Sequence, residues 1–101
     1  MNNQKILNLL GLAFRARKIT LGEEFVLKEL AKDQDNLVFL ASDAGENIKN
    51  KIIKKTDYYS VILIDSFTTD ELSKAIGKEN RKVILVSDKG FNKKFKEYLN
   101  S

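Results

Sequence analysis

Ile6, Leu7, Leu10 and Phe14 recur at helical spacing, which predicts a first helix over residues 3–15. The stretch ITL (19–21) reads as a short extended piece, and residues 22–32 as a second helix burying Val26, Leu27, Leu30 and Ala31. NLVFLA (36–41) is apolar without interruption, the pattern of a strand covered on both faces. Helical spacing returns in ENIKNKIIKK (46–55), with Ile48 and Ile52 turned inward and Lys49, Lys51, Lys54 and Lys55 spread over the rest. VILID (61–65) and KVILVS (82–87) are two further buried strands. Between them TTDELSKAIG (68–77) forms a short helix closed by Gly77, a residue suited to the left-handed conformation of a helix end. Residues 88–99 finish the chain as a helix with Phe91, Phe95, Tyr98 and Leu99 on about one face.

Strands that alternate with helices across short connections predict an α/β domain with helices on both faces of a small sheet. No repeat, linker or low-complexity tract interrupts the pattern, so residues 1–101 are expected to form one domain. A chain of this size buries roughly two-thirds of its unfolded surface and needs no staple. There is no apolar run of about 18 residues that would span a membrane. At the amino terminus the basic cluster follows the apolar part, the reverse of a signal peptide, so a cytoplasmic protein is expected. Cysteine and histidine are both absent, which excludes disulfides, thiolate catalysis, zinc fingers and histidine proton shuttles. A net charge of +4 and a pI near 9.3 fit an acidic partner such as nucleic acid, or a solvated basic surface with no partner.

Asp43, Asp65 and Asp88 each follow a strand, and ligands of open α/β sheets bind at the carboxyl ends of strands. Three carboxylates gathered there would suit magnesium. Helix capping explains the same region without a metal, because Asp43 with Glu46, Thr68 with Glu71 and Thr20 with Glu23 all have capping-box spacing. No catalytic residue, metal site or cofactor is therefore expected. Glu23 and Glu24 suit the positive end of the second helix, and Arg15, Arg17 and Lys18 suit the negative end of the first or a contact to RNA. Gly22 is not demanded by capping, but its missing side chain would let a flat or charged partner approach the backbone. Lys28 can pair with Glu24 one turn earlier or reach a phosphate.

LGEEFVLKEL (21–30), LVFLASDAGENIKNKI (37–52) and ELSKAIGKENR (71–81), in that order and spacing, resemble the kink-turn-binding ribosomal-protein superfamily, most closely its bacterial YlxQ-like branch. The resemblance implies a three-layer α–β–α sandwich around a mixed four-stranded sheet. It also implies a monomer that binds structured RNA, typically a sharply bent helix with an internal bulge, in the setting of ribosomal RNA, the ribosome or translation factors. Carried over by position, the RNA-facing glycine is Gly22 and the helix lysine Lys28, with Asp43 and Ala44 after the first long strand. The apolar recognition loop falls on Leu72, Ser73, Lys74, Ala75, Ile76 and Gly77, where Ala75 and Ile76 would pack against exposed bases. Lys28, Lys74 and Lys78 are the leading phosphate contacts on a positively charged edge, with Arg15, Arg17, Lys18 and Arg81 outside them. The chain departs from the family after the glycine: kink-turn binders carry a polar or basic pair able to donate to guanine edges, and here stand Glu23 and Glu24, acceptors only. Altered selectivity at that point is expected. Two rival readings keep the fold and change the work: a module docking on a translation factor or ribosomal protein, and a paralogue that has lost strong RNA affinity.

Overall fold

The computed structural model describes residues 2–100 and orders its elements as α1 (Asn3–Arg15), β1 (Ile19–Leu21), α2 (Glu23–Leu30), β2 (Leu37–Leu40), α3 (Glu46–Tyr58), β3 (Ile62–Ile64), α4 (Thr69–Ala75), β4 (Val83–Val86) and α5 (Lys89–Leu99). The strands lie in the order β1-β4-β2-β3, with β2 and β3 parallel and the other two pairs antiparallel. Helix α1 packs against α4 and α5 in one layer, while α2 packs against α3 in the other, completing the expected α–β–α sandwich. Among the described residues no helix is long and apolar enough to cross a membrane.

The central strands β2 and β4 are buried at every position, as their unbroken apolar runs require. Phe39 of β2 anchors the interior: its ring lies 5.2 Å from Phe95, edge to face, and 6.3 Å from Phe67. The third apolar run behaves differently. β3 lies at the edge of the sheet beside β2, and Ile62 is 37% exposed where a buried strand was expected. Helix α2 stops at Leu30, which leaves Ala31 exposed and corrects its place in the core. Helix α3 runs on to Tyr58, past the expected end at 55, because Thr56 turns inward and donates its hydroxyl to the Ile52 carbonyl at 2.8 Å.

Gly11 is where α1 and α4 touch. A Cβ there would come within 2.7 Å of the Ala75 carbonyl oxygen, a backbone atom that cannot rotate away. Replacing glycine inside a helix ordinarily gains about 1 kcal/mol. Gly11→Ala should nevertheless lower stability by roughly 1–3 kcal/mol, because overpacking forces the two helices apart. Urea midpoints for the variant and the parent check this; an equal or higher midpoint would mean that α4 shifts without cost.

Candidate nucleic-acid interface

The register of the sheet decides which loops meet. Parallel pairing puts the carboxyl ends of β2 and β3 at one end. Antiparallel pairing sets Leu40 beside Val83 and Leu21 opposite Ile84, so the start of β4 and the end of β1 arrive at that same end. Segments 22–25, 41–46, 65–69 and 77–82 therefore converge. Backbone bonds tie them together: Ala41 N–H donates to the Lys82 carbonyl and Ser42 N–H to the Phe67 carbonyl, both at 2.8 Å.

The same register keeps the three aspartates from gathering. Asp88 follows β4 at the far end of the sheet, where its Oδ2 accepts from the Phe91 N–H at 2.9 Å and caps α5. Among the described residues no group of three or more His, Cys, Asp or Glu side chains is placed to hold a metal ion. Asp43 does not cap α3, whose N-cap is Gly45. Its carboxylate instead accepts from the Thr69 hydroxyl at 2.7 Å and the Thr69 N–H at 2.9 Å, fastening the loop after β2 to the start of α4. Those two bonds hold the Asp43 carboxyl below its usual range, the hydroxyl contributing most. The Thr68–Glu71 capping box forms as expected.

At Gly22 the backbone itself requires glycine. It is the N-cap of α2 at φ 94° and ψ 136°, a conformation that side chains with a Cβ rarely adopt. The Thr20–Glu23 box is not made: Thr20 is a strand residue paired with Leu85, and Glu23 reaches across to Lys51 Nζ at 3.3 Å. Both α2 and α3 thus begin at this end from glycines with no side-chain cap. Among the described residues no side-chain acceptor is recorded for their first-turn amides.

The stretch 72–77 is a helix end and not an exposed apolar loop. Leu72 is fully buried, Ile76 is 5% exposed, Ala44 is buried and Ala75 half-buried, so the core already occupies the side chains expected to meet bases. Ser73 is structural too. Its Oγ accepts from the Arg81 N–H at 2.8 Å and donates to the Thr69 carbonyl at 2.6 Å, clamping the loop that follows. That loop, residues 77–82, is the exposed one. Gly77 takes the expected left-handed conformation at φ 69°, and Asn80 repeats it at φ 54°. Asn80 and Lys82, which sequence reasoning passed over, line two hollows at once. One, of about 260 Å³, also includes Gly22, Glu23 and Arg81. The other, of about 590 Å³, includes Asp43, Thr69, Lys74 and Lys78. The polar run KENRK beside Gly77 was the available signal. The apolar group presented at this end is Phe25, 60% exposed and adjoining Gly22.

The cations divide. Arg15 lines a hollow between α1 and α4 together with Lys74, and Lys78 Nζ lies 5.6 Å from the Phe14 ring centre, so the end of α1 adjoins the loop. Lys18 stands at the start of β1, its carbonyl accepting from the Ser87 N–H at the opposite end of the sheet. Arg17 and Lys18 are thereby displaced from Leu21 by about 10 Å or more of strand. The edge is not uniformly positive. Lys28 pairs with Glu24 at 3.9 Å, Lys51 with Glu23 at 3.3 Å and Lys74 with Asp70 at 3.1 Å, and Asp43, Glu46, Glu71 and Glu79 stand among them. Cations and carboxylates are close to balance there, and the excess of positive charge falls on α1, α3 and α5.

Comparison with known proteins adds a second line. The model of the ribosomal protein L7Ae/L30e/S12e/Gadd45 family matches residues 4–96. The RNA-binding protein YlxQ of Enterococcus faecium is 43% identical over 98 residues, covering 97% of this chain and 94% of that protein. The protein of the same name from Bacillus subtilis is 40% identical, covering 93% and 94%. A structure of a protein with unknown function from Bacillus halodurans C superposes with a TM-score of 0.89 at 41% identity, covering 96% of this chain and 98% of the other. A 15.5 kD RNA binding protein of Giardia lamblia shares the fold at TM-score 0.81 and 18% identity, covering 97% and 84%.

Proposed function

The chain belongs to the ribosomal protein L7Ae/L30e/S12e/Gadd45 family, in its YlxQ-like branch, and we propose that it binds structured RNA at the end of the sheet that carries Gly22. The observation that carries this reading is the convergence of Gly22, Phe25, Lys28 and the 77–82 loop, with uncapped helix starts between them. The preferred ligand is a bent or bulged helix. Its unpaired base has a ring to stack on at Phe25, its phosphates have Lys28, Lys74, Lys78 and Lys82, and the glycine-bounded amides can donate to base or sugar oxygens. The work is binding without turnover, as a cytoplasmic monomer among ribosomal RNA and translation factors.

Two probes test it: a kink-turn stem–loop RNA and a straight duplex of equal length and composition, titrated across a salt series. The bent RNA should bind more tightly. Phe25→Ala should weaken it about tenfold, the worth of one stacked base. Lys28→Ala and Lys82→Ala should each flatten the slope of log K against log salt by about 0.7 to 0.9. Equal affinity for both RNAs, unmoved by all three substitutions, would remove the site. The near balance of charge and the exposed Phe25 also suit a protein partner, and binding to a ribosomal protein that survives ribonuclease would favour that reading.

A further inference from the structure

We infer that the outer face of α3 is a second RNA-contacting surface, which takes an unpaired strand leaving the folded RNA; the inference rests on the RNA-binding reading above. Lys51, Lys54, Lys55 and Tyr58 fall within an arc of about 100° on the helix and extend along about 10 Å of its length. Ile52 and Thr56, which face the core, lie outside that arc, about 60° or more from its nearer edge. Lys51 reaches Glu23 beside Gly22, so the stripe begins at the candidate interface and leads away from it. Lys54 and Lys55 are exposed and have no ion pair among the described residues, which leaves both ammonium groups available to a ligand.

Helix stability alone does not account for the stripe. A cation in the last turn complements the helix dipole, and Lys55 fills that position by itself. Tyr58 has no structural task of comparable weight: it is 74% exposed, and its one ring contact among the described residues is edge-to-face with Tyr59, centroids 4.8 Å apart. A large aromatic ring held in water beside two unpaired cations is the chemistry that grips single strands, bases stacking on the ring and phosphates on the lysines. Duplex RNA offers no free base face to Tyr58, so the occupant is unpaired. Asp57 flanks the stripe and sets its edge.

The test uses three probes against the full chain: the kink-turn stem–loop with blunt ends, the same RNA with an unpaired extension of about ten nucleotides, and that unpaired segment alone. The extension should raise affinity about tenfold, with the whole gain lost in Tyr58→Ala and retained in Tyr58→Phe. The double variant Lys54→Ala/Lys55→Ala should lower the salt slope for the extended RNA by about 1.4, and leave blunt RNA unchanged. If blunt RNA binds and the extension adds nothing, the α3 inference falls and the Gly22 reading stands. If the unpaired segment binds through Tyr58 while blunt RNA does not bind, the Gly22 reading falls and α3 stands. Binding of none of the three overturns both. Displacement of the extension by an Asp/Glu-rich peptide, equally in Tyr58→Ala and the parent, would overturn the stacking claim and assign the face to an acidic protein.

Discussion

Asn92→Asp is expected to lower stability by roughly 3–5 kcal/mol at neutral pH, the cost of an uncompensated buried charge. Stability of a domain this size is about 5–15 kcal/mol, so the variant would be close to unfolding at ordinary temperatures. Asn92 is fully buried, and its Nδ2 donates to the Asp35 carboxylate at 2.9 Å, the Val86 carbonyl at 3.1 Å and the Asp35 carbonyl at 3.2 Å. Three acceptors converge on two hydrogens, and through them the loop before β2 is tied to β4 and α5. An ionised aspartate offers no hydrogen and directs its charge at another carboxylate. Folding would hold the new carboxyl protonated to a higher pH than the unfolded chain does. The penalty is therefore small below about pH 4, where both states are protonated, and grows as pH rises above the ordinary carboxylate range. Denaturant midpoints of variant and parent at pH 4 and pH 7 measure it. A gap that is equal at both would show that the charge is not the cause.

How much of this was legible in the chain depended on the range of the interaction. β2 and β4 announced themselves through Leu37–Leu40 and Val83–Val86, because burial on both faces leaves no polar positions. The Thr68–Glu71 cap and the left-handed Gly77 were equally local, and both were found where the spacing put them. Strand direction was not local. Nothing near Asp88 says that β4 runs against β2, yet that reversal sends Asp88 to the far end and brings Asn80 and Lys82 beside Gly22. Asp43 looked like a cap because Glu46 lies three residues on, whereas its partner Thr69 is 26 residues away and was fixed only by folding. The missing side chain of Gly22 leaves room for a partner, but its φ of 94° shows that the turn into α2 needs it first.

The apolar segment 72–77 shows the same limit from the other side. The resemblance to RNA binders turns Ala75 and Ile76 toward bases, yet Ile76 lies four residues after Leu72 and shares its face of the helix. Packing decides otherwise, because α4 lies against α1 at Gly11 and has no second apolar face to give the core. Phe25, one turn into α2 and pointing to water, is the apolar group that remains free at this end.

Glu24→Lys is expected to raise affinity for the kink-turn RNA about tenfold or more at low salt. Glu24 is 79% exposed and holds Lys28 at 3.9 Å, so the substitution removes a carboxylate, adds an ammonium and releases Lys28. A unit charge about 8 Å from a phosphate is worth roughly 0.5 kcal/mol in water. A swing of two units felt by two phosphates comes to roughly 2 kcal/mol before screening, and salt should erode it within a Debye length of about 10 Å at 0.1 M. The fold should hardly notice, since losing an acid from the first helical turn costs about 0.3–1 kcal/mol. Glu23 would be a poorer test, because it is the partner of Lys51 at 3.3 Å and its loss disturbs the contact between α2 and α3. Titration of one RNA at three salt concentrations reads both the gain and its steeper salt slope. The sign carries the argument: if Glu24 accepts from a base amino group, the same substitution costs about 1–3 kcal/mol and affinity falls. A fall would make the glutamates selectivity elements in direct contact with bases, and a rise would make them a restraint on an otherwise electrostatic grip.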